Sequence, residues 1–125
     1  MTKVKTGYVD GFVLVVPKKN IAEYKKMAIL GGKTWLKHGA LDYKECVGDD
    51  MAPKMAELTF PKLTLSKKTE VVLFSFITFK SRAHRDSVNA KVMKEFHAYM
   101  EKNKKMKMPF DPKRMAYGGF TVLVG

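Results

Sequence analysis

EVVLFSFITFKSRAHRDSVNAKVMKEFHAYMEKNKK, residues 70–105, is the stretch that decides the fold. Its first part, Glu70–Lys80, is rich in β-branched and aromatic residues and apolar on both alternating faces. That is the pattern of a strand covered on both sides. At Ser81 the period changes. Val88, Val92, Phe96 and Met100 recur every four residues with Met93 beside them, the single stripe of an amphipathic helix, and Ser81 is its predicted N-cap. An earlier strand–helix pair has the same form. Tyr8–Val16 (YVDGFVLVV) is a second two-faced strand, and Pro17 ends it. Asn20 is the predicted N-cap of the helix that follows, with Glu23 placed for a capping box. Tyr24, Met27, Ala28, Trp35 and Leu36 repeat at near-helical spacing, and His38-Gly39 is the stop. Gly31-Gly32 inside this helix costs about 1 kcal/mol per glycine relative to alanine, which points to a close backbone approach or a bend.

Between the two pairs, Leu41–Gly48 alternates as an edge strand. Leu41, Tyr43, Glu45 and Val47 fall on one face, and Asp42, Lys44, Cys46 and Gly48 on the other. Residues 49–69 contain Pro53 and Pro61, and a short strand or turn is expected within Leu58–Leu65. After a proline-containing connection at Met106–Lys113, Arg114–Val124 (RMAYGGFTVLV) is the last strand, where Gly118-Gly119 points to a bulge or close approach of another backbone. The order β–α–β–β–α–β defines an α+β, ferredoxin-like domain: an antiparallel sheet with two helices on one face. Residues 1–125 make one such domain. Because the first, third and fourth strands are apolar on both faces, the uncovered face needs a second layer. A homodimer with the two sheets packed together, a dimeric α/β barrel, supplies it.

The 24 Lys+Arg against 12 Asp+Glu leave a formal charge of +12. Residues 1–40 carry eight basic and two acidic side chains, residues 41–80 six of each, and residues 81–125 ten and four. The excess thus surrounds the two helices. Only Arg82, Arg85 and Arg114 are arginine, whereas lysine is a hydrated point charge without the bidentate fork suited to base edges. A solvated helix surface is the first reading of this charge. Nucleic acid is the alternative partner that the charge alone suggests, and no Gly-rich phosphate loop, zinc-finger spacing or RNA-binding aromatic signature accompanies it. One cysteine, Cys46, excludes an intramolecular disulfide and any multi-cysteine metal site. No apolar run approaches the roughly 20 residues of a membrane-spanning helix, and the Met1–Lys5 stretch has no cleavage-site pattern. A cytoplasmic protein without membrane partners is expected.

Four segments carry a resemblance: YVDGFVLVVPK (8–18), HGALDYKEC (38–46), KSRAHRDSVNAKVM (80–93) and PFDPKRMAYGGFTVLV (109–124). Together they resemble the YbaA-like family of small bacterial proteins of unknown function over nearly the whole chain. The resemblance implies a dimeric α/β barrel and no particular activity. The Met- and Lys-rich tract Met100–Met108 and the loop at Asp49–Lys62 depart from the family pattern.

Candidate site residues follow from charge placed where it is costly. Arg82, His84, Arg85 and Asp86 crowd the first turn of the second helix, beside unpaired N–H groups, and could hold a carboxylate or phosphate. Alternatively, the arginines pair with acids such as Asp86, and His84 caps or packs. Asp10 lies inside an apolar strand on the face of Tyr8 and Phe12, where a charge needs a partner. Arg114 is the expected one, and the carboxylate serves either as a base or to fix strand register. Tyr8, Trp35, Phe76 and Tyr117 are aromatics suited to a pocket wall or to the core. His38, His84 and His97 have no metal-ligand spacing, so no metal site and no cofactor is expected. Cys46 is a packed residue or a reactive thiol. No catalytic fingerprint such as G-x-S-x-G is present, and catalytic residues are not identified. Three functions remain: a module that binds or converts a small, anionic molecule between sheet and helices, a non-enzymatic regulatory dimer, and a basic RNA-associated protein. The first borrows from cofactor-free monooxygenases and isomerases of similar architecture and is fold-level analogy.

Overall fold

The computed structural model describes residues 4–125. Met1–Lys3, on which the expected absence of a leader partly rests, lie outside the described residues. Four strands form one sheet: β1 (Tyr8–Pro17), β2 (Asp42–Val47), β3 (Glu70–Phe79) and β4 (Ala116–Thr121). Their order is β2-β3-β1-β4 with every neighbouring pair antiparallel. Two long helices, α1 (Ile21–Lys37) and α3 (Arg82–Lys102), are joined to this sheet, with a short helix α2 (Phe60–Thr64) between β2 and β3. The α+β, ferredoxin-like reading therefore holds.

The two-faced strands become the sheet's centre. β1 pairs with β3 over its whole length, Tyr8 opposite Phe79 through Pro17 opposite Glu70, while β2 and β4 form the edges. On β1, Tyr8, Asp10, Leu14 and Val16 are buried toward the helices with Phe12 half-buried among them. The core on this side forms two clusters. Tyr8, Ile77, Phe79, Val88 and Val92 pack at one end, and Leu14, Val16, Tyr24 and Leu73 at the other.

The opposite face is only partly covered. Val15 and Val72 are buried there, at the end where α2 lies against β1 and β3. Farther along the same face, Phe74 is 44% exposed and Phe120 60%. Cys46, exposed, lies opposite Phe74 on β2. Phe76 shares this face, so it does not line a pocket beneath the helices.

Four local expectations change. Asn20 makes no side-chain cap. A 3₁₀ turn, Lys18–Asn20, precedes α1, and the Asn20 amide donates instead to the Pro109 carbonyl at 3.0 Å. Glu23 pairs with Lys26, so the capping box is not formed. The 58–65 stretch takes the turn of its two expected forms, as one helical turn: Thr59 caps it, Pro61 occupies its first turn, and Leu65 ends it in the left-handed region at φ 55°. Arg114 falls in a 3₁₀ turn capped by Asp111, which delays β4 to Ala116. Gly118-Gly119 forms no bulge, since the register runs evenly from Asp10 opposite Gly119 to Gly11 opposite Gly118. The close approach at Gly119 is the Tyr8 side chain, whose hydroxyl would stand 2.3 Å from an added Cβ. The Ser81 cap is present, its hydroxyl accepting from the His84 amide at 3.1 Å, and Gly39 takes a positive φ of 112° after α1.

Candidate functional site

A cavity of about 650 Å³ opens between the helices and the sheet, bounded by both core clusters. It exists because α1 and α3 are tied together at one end only. There, Trp35 donates its indole N–H to Asn89 at 2.9 Å and meets the Phe96 ring edge-on at 5.3 Å, and Glu95 receives Lys37 and His38. Toward the start of α1 the gap between the helices is bridged by the segment after α3. Asn20 holds the Pro109 carbonyl, and Phe110 meets Tyr24 edge-on at 5.7 Å. The Met-rich tract is therefore wall: Met100, Met106 and Met108 line the cavity, each 39–42% exposed at its rim. Flexible thioethers adapt to irregular apolar shapes.

Within these walls stands a polar constellation. The Glu45 carboxylate accepts from the Tyr24 hydroxyl at 2.8 Å through Oε1 and from the Tyr43 hydroxyl at 2.5 Å through Oε2. Two elements build it. Tyr43 and Glu45 are alternate residues on the inward face of β2, and Tyr24 reaches down from α1. The adjacent glycines of α1 permit the approach, since a Cβ at Gly32 would lie 2.9 Å from the Tyr43 ring. Burial, and secondarily the Glu45 charge, push both phenols well above the usual tyrosine pKa, so they remain hydrogen-bond donors. Sequence reasoning placed Glu45 with Tyr43 on one face but did not single it out. An acid sharing an edge strand's aromatic face was the available signal.

At the other end of the cavity lies the second polar cluster. Asp10, with 1% of its surface exposed, receives the Arg85 guanidinium at 2.9 Å and the Asn89 amide at 3.3 Å. Arg85 also donates to Tyr117 at 2.7 Å, to Asp86 at 2.8 Å and to Tyr8 at 3.4 Å, and lies 5.0 Å over the Tyr8 ring. Burial raises the Asp10 pKa against the opposing pull of Arg85. Tyr117, stacked on Phe12 at 4.7 Å, and Asn89 connect this cluster to the cavity wall.

The structure thus brings together Asp10, Arg85 and Tyr117, and separates Arg82, His84 and Arg114 from them. Arg114 is not the partner of Asp10. It lies in the 3₁₀ turn before β4, five residues before Gly119, the residue opposite Asp10, and there it pairs with Glu70 at 2.6 Å and with the Thr64 and Leu65 carbonyls. His84 caps and packs: its Nδ1 accepts from the Lys80 amide at 3.0 Å and its ring meets Phe79 edge-on. Arg82 is exposed, and the Arg85 fork is already occupied by acids and phenols, so the two arginines do not converge on one anion. Among the described residues no group of three or more His, Cys, Asp or Glu is placed to hold a metal, and no helix is long and apolar enough to cross a membrane.

Sheet order, two covering helices and a cavity between them define a ferredoxin-like α+β domain with an internal apolar site. Residues 7–112 match the family model described as "Protein of unknown function (DUF1428)", and the chain belongs to that family. It is 36% identical over 122 residues to "Uncharacterized protein YbaA" of Escherichia coli (strain K12), covering 94% of this chain and 97% of the relative. The Shigella flexneri protein of the same description matches to the same extent. The resemblance read from the four sequence blocks is that of this family.

Proposed function

We propose that this protein is a homodimer that binds a small, largely apolar molecule between its sheet and helices. The cavity carries this reading. Its volume of about 650 Å³ lies within the range of small-molecule sites, and its apolar and aromatic walls surround few polar groups, as such sites do. The charge in the cavity runs against the anionic ligand expected from Arg82 and Arg85, because the arginine nearest to it is neutralised by Asp10 and the carboxylate of Glu45 faces inward. Trp35 is the one tryptophan of the chain and stands in the cavity wall. Its emission therefore reports occupancy. Titration with apolar ligands of graded size should shift or quench that emission saturably, and Ala28→Phe, which fills the cavity without adding a second tryptophan, should abolish the response. A response unchanged by filling the cavity would refute the reading.

The dimer rests on the outer sheet face, where Phe74, Phe120 and Cys46 stand exposed beside half-buried Val9, Val13 and Phe76. Burying that face against its copy removes apolar area from water at about 25 cal/mol per Å². Light scattering at micromolar concentration should give twice the chain mass, and Phe74→Lys with Phe120→Lys should give the monomer. A monomeric wild-type protein would refute the dimer.

A further inference from the structure

We propose that the cavity's ligand is a hydrophobic amine, held as its ammonium ion against the Glu45 carboxylate and between aromatic walls. This rests on the reading of the cavity as a small-molecule site and adds the chemistry of what enters it.

Glu45 is the one charged residue among the described residues that line the cavity. None of the ion pairs formed by the described residues includes it. Basic side chains outnumber acidic ones two to one in this chain, 24 against 12, yet among the described residues none lines the cavity with this carboxylate. Its two tyrosine partners orient it without neutralising it. Each phenol takes one acceptor position, on a different oxygen, and a carboxylate offers about four such positions. Each oxygen therefore keeps a free lone pair while the pair of hydroxyls fixes the group in place.

A neutral hydroxyl ligand would fill such a lone pair but leave the charge uncompensated in an apolar setting, and an anion would be repelled. An ammonium both donates and neutralises, giving a charge-assisted hydrogen bond. The surrounding rings act in the same sense. Trp35 stacks near Tyr43 at 5.9 Å with Phe96 edge-on, and aromatic faces carry a negative quadrupole that attracts cations. The remaining volume, bounded by aliphatic and thioether side chains such as Leu14, Met27 and Met93, suits the hydrocarbon body rather than the charged head.

The test is calorimetric titration with three probes of nearly one shape: naphthylmethylammonium, naphthylmethanol and naphthoate. Salt is held at about 0.15 M, so that the positive exterior is screened beyond about 8 Å. The ammonium is expected to bind about tenfold or more tightly than the alcohol, with naphthoate weakest. Glu45→Gln should erase that advantage, weakening the ammonium far more than the alcohol. If ammonium and alcohol bind equally, or the advantage survives Glu45→Gln, the amine inference is overturned while the cavity remains a small-molecule site. If none of the three binds, both readings fall. The wild-type ranking decides the matter alone should Glu45→Gln not fold.

Discussion

Removing the Arg85 guanidinium isolates a buried charge, and the consequence can be worked out from the structure. Asp10 is 1% exposed, and Arg85→Ala leaves it the Asn89 amide at 3.3 Å and the Tyr117 hydroxyl, neither of which carries a compensating charge. Breaking a buried ion pair by deleting one partner costs about 3–5 kcal/mol, because the other charge stays desolvated. The Arg85 side chain is 13% exposed, so water reaches part of the vacated space and the lower end, about 3 kcal/mol, is expected. For a chain of this length that lowers Tm by roughly 10 °C. Urea unfolding followed by far-UV circular dichroism at neutral pH measures it, with the slope m unchanged. A pH arm isolates the cause. The Asp10 pKa in the folded protein lies above its unfolded value, so ionised Asp10 opposes folding and stability falls as pH rises through that window. Without Arg85 the folded pKa rises further. The deficit of Arg85→Ala must therefore shrink as pH falls and Asp10 protonates. Asp10→Asn combined with Arg85→Met, which removes both charges, should be less damaging than Arg85→Ala alone. A loss below about 1 kcal/mol at neutral pH, or a deficit that grows on acidification, would refute the reasoning.

Gly119→Ala sets a Cβ 2.3 Å from the hydroxyl of buried Tyr8. A loss of about 1–3 kcal/mol is expected in a thermal melt, and an unchanged melt would mean that the ring yields freely. Gly32→Ala tests opposing effects: helix propensity favours alanine by about 1 kcal/mol, but its Cβ would stand 2.9 Å from the Tyr43 ring. Net destabilisation together with weakened ligand response at Trp35 is expected, whereas stabilisation would place the Tyr43 ring elsewhere. Glu70 is held below the usual carboxylate pKa by the Arg114 hydrogen bonds, so its contribution is present above the unfolded value and lost as pH falls through the folded one. Glu70→Gln should therefore be less stable than wild type at neutral pH, with the difference vanishing in acid. A gap that persists in acid would assign its cause to packing.

Period and punctuation in the sequence determined the elements. Two-faced strands at Tyr8–Val16 and Glu70–Lys80 announced a sheet centre, and Ser81 and Gly39 acted as the helix signals they resemble, because caps and turns depend on neighbours a few residues away. Asn20 failed as a cap because the 3₁₀ turn before α1 holds its backbone at φ −102°, ψ 4° rather than in the extended conformation of a cap, and its side-chain amide binds the distant Pro109 carbonyl instead. The 58–65 segment was read as a short strand or turn, and Thr59 and Pro61, a cap and a helix-start residue, carry the helical turn it forms.

Asp10 shows where the sequence stops. That it needs a partner follows from its apolar neighbours, since an unpaired buried charge is not tolerated. That the partner is Arg85 and not Arg114 depends on α3 crossing the sheet above β1, a relation between residues 75 apart in the chain. Glu45 was written on the inward face of β2 from the start, but nothing local says that Tyr24 will descend onto it or that α1 and α3 will part above it. The elements, the charge and the family were set by local pattern. The cavity, its lone carboxylate and the partner of each buried charge were decided by tertiary packing, because side chains meet across elements only once helices and sheet have taken up their register.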